Sequence, residues 1–234
     1  MRDRLTYVLI HSPLVGPLTW GPVRQELAQR GLDAVCPSLL DDPRSDQPFW
    51  KQQAESVAGS LRSLAPERRL VLVAHSGAGP LLPAIRQALD RPVAAYVFVD
   101  AGLPRNNHSR LDLMKLEDPE WATEFQQTLQ QGERFPTWSE TDLSEIIPDE
   151  SLRKGMVAEI RPRALAFFNE PIPVFDGWPD APCAYIQFSP SYAWDFEQAR
   201  QCGWPVYQLD AGHFHMLVEP KSVTELIIEA ALSA

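Results

Sequence analysis

The chain has 234 residues, 44% of them hydrophobic and 22% charged, which suits one large folded domain and excludes a disordered or low-complexity chain. Its formal net charge of −10 argues against nucleic acid or an anionic membrane surface as a partner. Cys36, Cys183 and Cys202 have no metal-type spacing and read as free thiols in a reducing compartment, so a cytoplasmic location is expected.

In chain order, the first apolar run predicts a strand over Thr6–His11. Basic residues precede it, but the run is too short for a secretory signal and no small-residue cleavage site follows. No run approaches the ~18 apolar residues of a membrane helix. A helix is predicted over Thr19–Arg30, with Gly31 as its C-terminal stop, and then a strand over Asp33–Cys36. Helices over Phe49–Leu64, Gly79–Leu89 and Val223–Leu232 alternate with strands over Leu70–Ala74, Ala94–Val99, Ala184–Phe188 and Pro205–Leu209. Such alternation is the pattern of a parallel sheet with crossover helices. It breaks between Arg105 and Asp180, where aromatic residues stand among many charges. Leu111–Leu129 there has helical periodicity, while Asn169–Pro182 is rich in proline and irregular. This segment reads as an inserted cap over the strand ends, with 105–180 as cap and 1–104 and 181–234 as core. The aromatics are expected mostly to form the cap's own small core.

The strand over Leu70–Ala74 ends in His75-Ser76-Gly77-Ala78-Gly79. A serine hydroxyl becomes a nucleophile when a sharp strand-to-helix turn presents it beside a base and backbone N–H donors. Such a turn crowds the residues two before and two after the serine, and both are small here, Ala74 and Ala78. A serine that merely caps a helix has no such need. Gly77 offers an unobstructed N–H at the start of the helix, where the dipole favours a developing oxyanion. A second motif, Asp210-Ala211-Gly212-His213 through Glu219-Pro220, puts a histidine on a loop after the last strand. Gly212 is expected to give that turn its freedom, and His213 is the candidate general base. His215 is the competing candidate. His75 and His11 read as structural, and His108 as exposed.

With both motifs in place, the chain resembles the α/β-hydrolase superfamily over almost its whole length. The resemblance implies a mostly parallel sheet of about six strands flanked by helices, with a helical cap. Starting directly on the strand that carries the oxyanion loop, the chain is similar to small esterases and plant-type hydroxynitrile lyases. The superfamily usually takes its triad acid from the loop after the strand at Ala184–Phe188. Ser191 or Tyr192 stands there, and Asp195 arrives about three residues late. A variation within the superfamily places the acid at the end of the preceding strand, which is Asp100 here. Asp100 is therefore the preferred acid and Asp195 the alternative. The family's oxyanion loop becomes His11-Ser12-Pro13-Leu14-Val15-Gly16, and Pro13 lacks the N–H usually donated at its position. Leu14 N–H or the Ser12 hydroxyl is expected to take over. Loss of one such donor typically costs about 10² to 10³ in rate.

The leading expectation is a serine hydrolase that cleaves or cyclises an ester, lactone or thioester of a small to middle-sized apolar substrate. A lyase on the same scaffold is the second reading. The His11-Ser12 to Trp20 segment aligns with the loop of plant-type hydroxynitrile lyases, but Phe214 replaces the lysine that follows their catalytic histidine. A ligand-binding protein with a disarmed triad is the third. No cofactor and no metal are expected, since there is no phosphate-binding glycine loop and the histidines lack ligand spacing. The partner is a small-molecule substrate.

Overall fold

Strands rich in Val, Leu and Ile with helices between them must be covered on both faces, and they are. The computed structural model describes residues 5–234, so Met1–Arg4, part of the lead-in weighed above as a signal, lies outside the described residues. Six strands form one parallel sheet in the order β2-β1-β3-β4-β5-β6: β1 (Leu5–Ile10), β2 (Asp33–Val35), β3 (Arg69–Ser76), β4 (Val93–Ala101), β5 (Cys183–Gln187) and β6 (Val206–Gln208). The helices are α1 (Gly21–Gln29), α2 (Phe49–Ser60), α3 (Leu82–Ala88), α4 (Arg110–Glu117), α5 (Pro119–Gln130), α6 (Glu150–Ala158), α7 (Leu165–Phe168), α8 (Ala193–Gln201), α9 (His215–Val218) and α10 (Pro220–Ser233).

Alternate residues of the central strands enter two separate cores. Leu70, Leu72 and Ala74 of β3, with Tyr96 and Phe98 of β4, pack with α2, α3 and α8. Val71 and Val73, with Ala95, Val97 and Val99, pack with α1, α9 and α10. Period-two alternation is thus present, but both phases are apolar, which is why β3 reads in sequence as a continuous hydrophobic run.

Gly31 stops α1 as expected: at φ +73 it takes the left-handed conformation, and Leu32 N–H bonds Leu27 C=O. The segment between β4 and β5 carries α4 to α7. The single helical stretch expected over Leu111–Leu129 is two helices. Asp118 leaves helical geometry, its carboxylate accepts from Trp121 N–H, and Pro119 opens α5. The aromatics Phe125, Phe167 and Phe168 form a third, smaller core with Leu111, Ala122 and Leu129. Asn169–Pro182 is irregular, as its prolines dictate.

The turn after β3 packs against the end of β4 through Gly79, where a Cβ would overlap the Gly102 carbonyl oxygen. Gly59, in α2, has open space around its Cβ position. Gly79→Ala is expected to lose about 1–3 kcal/mol through overpacking. Gly59→Ala is expected to gain about 0.5–1 kcal/mol from helix propensity. Thermal melts of both variants check the pair, and an unchanged Tm for Gly79→Ala would contradict the close approach.

Candidate active site

The end of β3 delivers Ser76 in a strained conformation. Its φ is +58, a region a non-glycine residue occupies only when its surroundings hold it there. The register with β4 slips between His75 and Ser76, so that Ser76 pairs with Ala101. Ala74 and Ala78 are fully buried on either side of the turn. A Cβ on Gly77 would stand 3.6 Å from both Pro13 Cδ and Ser12 Oγ, so this residue faces the loop after β1.

His213 lies on the turn between β6 and α9, and its Nδ1 is 2.6 Å from Asp100 Oδ2. A carboxylate only accepts, so Nδ1 carries the hydrogen and Nε2 of the neutral ring is left free to take a proton. Asp100 is fully buried at the end of β4, with φ +44. Its other contacts are Phe188 N–H at 2.8 Å, Ser189 N–H at 2.9 Å and Ser189 Oγ at 2.7 Å. Burial works against its charge, but the hydrogen bonds from His213 and Ser189 outweigh it and hold the carboxyl below the usual range. Gly212 differs from expectation. It is not in the left-handed region, and a Cβ there would meet only Ile146 Cγ2 at 3.9 Å, so no backbone constraint demands a glycine.

None of the other histidines hydrogen-bonds the Asp100 carboxylate. His75 is buried and donates from Nε2 to the His213 carbonyl at 3.0 Å, with the two rings 4.4 Å apart. Burial and the neighbouring imidazole keep His75 neutral. It props the base loop from below. His11 donates from Nδ1 to Ser12 C=O at 2.8 Å and accepts Leu39 N–H at Nε2, and burial pushes it down to about 4. His215 packs its ring against Phe188, and His108 bonds the Asn106 carbonyl and is half-buried.

The loop after β1 presents a proline where a donor would serve. Leu14 N–H points at Ser12 Oγ, 3.4 Å away, a long contact. The segment between β4 and β5 grips this loop: Arg161 N–H bonds Leu14 C=O at 2.9 Å, Arg163 reaches Pro13 C=O, and Glu159 accepts Leu18 N–H. Arg163 also makes a two-pronged, largely buried pair with Asp41 at 2.6 and 2.8 Å.

A cavity of about 740 Å³ is lined by Ser76, Gly77 and His213, by apolar residues such as Leu113, Met114 and Trp138, and by the charged residues Arg110, Glu117 and Asp195. Tyr192 also lines it, and neither Tyr192 nor Arg110 was a candidate site residue from sequence. Tyr192, in the turn after β5, has its hydroxyl 3.0 Å from Ser76 Oγ and its ring stacked on His213. The only hint in the sequence was its place where the family's acid usually stands. Arg110 is buried with no acceptor for any of its three guanidinium nitrogens. The Phe167 ring lies 4.1 Å under the guanidinium, and the more distant Glu170 and Asp41 add opposite charge. Burial lowers its pKa to about 10, so it stays charged at neutral pH.

Asp195 also lines the cavity, but it bonds Leu103 N–H at 2.8 Å and not the imidazole. Burial drives it up to about 7, against the Leu103 hydrogen bond and the charge of Arg105. Among the described residues, no group of three His, Cys, Asp or Glu side chains is placed to hold a metal ion, and no helix is long and apolar enough to cross a membrane.

A model of the alpha/beta hydrolase family matches residues 7–226. Methylesterase 1 of Arabidopsis thaliana is 28% identical over 181 residues, 70% of this chain and 68% of the relative. Among solved structures, an extracellular α/β-hydrolase from a Paenibacillus species superposes with a TM-score of 0.76 at 18% identity, covering 97% of this chain and 98% of that one. A pyrethroid hydrolase from Sphingobium faniae JZ-2 gives 0.68 at 18% identity, covering 98% of each chain. At these identities the superpositions establish the fold.

The raised carboxyl of Asp195 has a consequence for stability. The folded state holds its proton more tightly than the unfolded chain does, so the group costs stability as pH rises from the ordinary carboxylate range to about 7. Asp195→Asn keeps an acceptor for Leu103 N–H and removes the titration. Its Tm is expected to fall less than that of the wild type between pH 5 and pH 8. Equal slopes in parallel melts would show that Asp195 does not titrate in this window.

Proposed function

The chain belongs to the alpha/beta hydrolase family, and from the arrangement around Ser76 we propose a serine hydrolase that cleaves, or cyclises, an ester, lactone or thioester. The observation that carries this reading is the 2.6 Å bond between His213 Nδ1 and the buried Asp100 carboxylate, beside a serine held at φ +58. A serine on such a turn, with an oriented imidazole over the same cavity, has the parts that acyl transfer needs.

In this reading Ser76 Oγ attacks the carbonyl carbon while His213 Nε2 takes its proton. Asp100 stabilises the imidazolium and fixes the ring. Gly77 N–H, with the Ser12–Leu14 loop opposite, faces the oxygen that gains charge. His213 then protonates the leaving oxygen or sulfur, and water or an internal hydroxyl of the acyl group ends the cycle. Residues 105–180 serve as a cap that closes the cavity over the core. The apolar wall favours small to middle-sized apolar acyl groups. The name of the Arabidopsis relative makes simple methyl esters the first substrates to try.

A fluorophosphonate probe, read by intact mass, tests the assignment. The wild type is expected to take one adduct and Ser76→Ala none. Asp100→Asn should lose about 10⁴ in ester turnover, and Asp195→Asn far less. A folded wild type that takes no label sinks the hydrolase reading and brings the lyase and ligand-binding readings forward. A deep loss confined to Asp195→Asn would move the acid to that residue.

A further inference from the structure

Around Ser76 the count of hydrogen-bond donors is one short. Gly77 supplies a backbone N–H on one side of the nucleophile. On the other, Pro13 has none and Leu14 N–H is turned to Ser12 Oγ. A carbonyl oxygen becoming an oxyanion needs two or more donors at about 2.7–3.1 Å for efficient acyl transfer. One donor of the right kind stands in the cavity already.

We propose that Tyr192 is a further catalytic residue, whose phenol donates to Ser76 Oγ in the resting enzyme and passes to the substrate's carbonyl oxygen as that oxygen gains charge. The inference rests on the serine-hydrolase reading and extends it to a residue outside the triad.

Three features place the hydroxyl for this work. It lies 3.0 Å from Ser76 Oγ, close enough to turn to an oxygen presented on its side of the carbon that Oγ attacks. The ring stacks on His213 with centroids 5.4 Å apart and planes inclined by 15°, which restricts its swing. The turn that carries it is tied to the triad, because Ser189, three residues earlier, gives both its N–H and its hydroxyl to Asp100. Burial, opposed by the bond to Ser76, raises the phenol above its ordinary range, so it remains a neutral donor at any working pH.

The step balances without proton loss from Tyr192. The Oγ–carbon bond forms, the carbonyl π pair moves to oxygen, and the serine proton passes to His213 Nε2. The phenol shortens its hydrogen bond to the new oxyanion and keeps its own hydrogen. When the intermediate collapses, the oxyanion pair re-forms the carbonyl, the carbon–leaving-group bond breaks and His213 gives its proton to the leaving atom. The phenol stays on the acyl carbonyl and returns to Oγ when deacylation restores the serine hydroxyl. The Ser12 hydroxyl is the competing donor, since it faces Gly77 across the same space.

Wild type, Tyr192→Phe and Ser12→Ala, all full length, are compared in two assays. One is the rate of fluorophosphonate labelling. The other is the affinity for an alkyl trifluoromethyl ketone, which forms a hemiketal oxyanion on the serine. Phenylalanine keeps the ring on His213, and circular dichroism with a thermal melt checks that the fold is retained. Tyr192→Phe is expected to label about 10² to 10³ times more slowly and to weaken ketone binding by a similar factor. KM for a methyl ester should stay near that of the wild type, because the hydrogen bond strengthens only as charge develops. Wild-type labelling and ketone affinity in Tyr192→Phe would overturn the proposal while leaving the hydrolase reading intact. So would a loss confined to Ser12→Ala. A wild type that neither labels nor binds the ketone would overturn the hydrolase reading, and this one with it.

Discussion

The carboxylate of Asp100 is the constraint on which the site is built. It sits with no solvent exposure at the end of β4, where an unpaired charge would cost several kcal/mol. Four hydrogen bonds offset that cost, and they come from three residues on two separate stretches of the chain. His213 Nδ1 belongs to the base loop, Phe188 and Ser189 N–H to the exit of β5, and Ser189 Oγ to the turn that leads to Tyr192. One buried anion thereby sets the imidazole, the exit of β5 and the approach of the phenol. Three of the four donors sit on the adjacent residues Phe188 and Ser189, two of them backbone N–H groups, so the network has little freedom to reorganise.

Strain and small residues serve the same end at the neighbouring strand. Ser76 and Asp100 both take positive φ, at the ends of adjacent strands β3 and β4. Neither conformation is intrinsically favourable, so each has to be held by its surroundings. Gly79 lets the turn after Ser76 press against the Gly102 backbone, and buried Ala74 and Ala78 leave room for the kink. His75, neutral and bonded to the His213 carbonyl, joins the elbow to the base loop from beneath. Residues that do not line the cavity thus hold the two strained strand ends together.

Much of this was legible in the sequence, for identifiable reasons. A parallel sheet covered on both faces writes itself as short apolar runs, and the strand positions follow from those runs to within a few residues. The elbow is a local motif, since the steric demand of the turn acts on adjacent positions such as Ala74 and Ala78. The acid is different. Asp100 and Asp195 are both plausible by spacing, and only the third dimension shows which oxygen meets His213, 113 residues further along. The break at Asp118 was missed because the apolar period runs through it, while the carboxylate cap and Pro119 end one helix and start the next. Gly212 misled in the opposite direction, since a glycine invites a conformational explanation that its backbone does not require. The contact of Tyr192 with Ser76 and the burial of Arg110 were hidden because both are matters of three-dimensional placement.

The loop after β1 shows how the segment between β4 and β5 reaches the cavity. A proline at position 13 removes a donor and stiffens the backbone, so the shape of this loop is set by what holds its carbonyls. Arg161 N–H takes Leu14 C=O, the Arg163 guanidinium reaches Pro13 C=O, and Glu159 accepts Leu18 N–H. All three come from the segment between β4 and β5, and Arg163 is itself pinned by its buried pair with Asp41. Breaking one member of such a pair leaves a desolvated charge, which costs about 3–5 kcal/mol. The loop opposite Gly77 is therefore fastened to residues 159–163 by one backbone hydrogen bond and by charge-assisted bonds from Glu159 and Arg163, all from outside the sheet. The backbone that faces Ser76 and Gly77 thus shares its hydrogen bonds with residues 159–163, so the shape of the cavity on this side is set by the same few contacts.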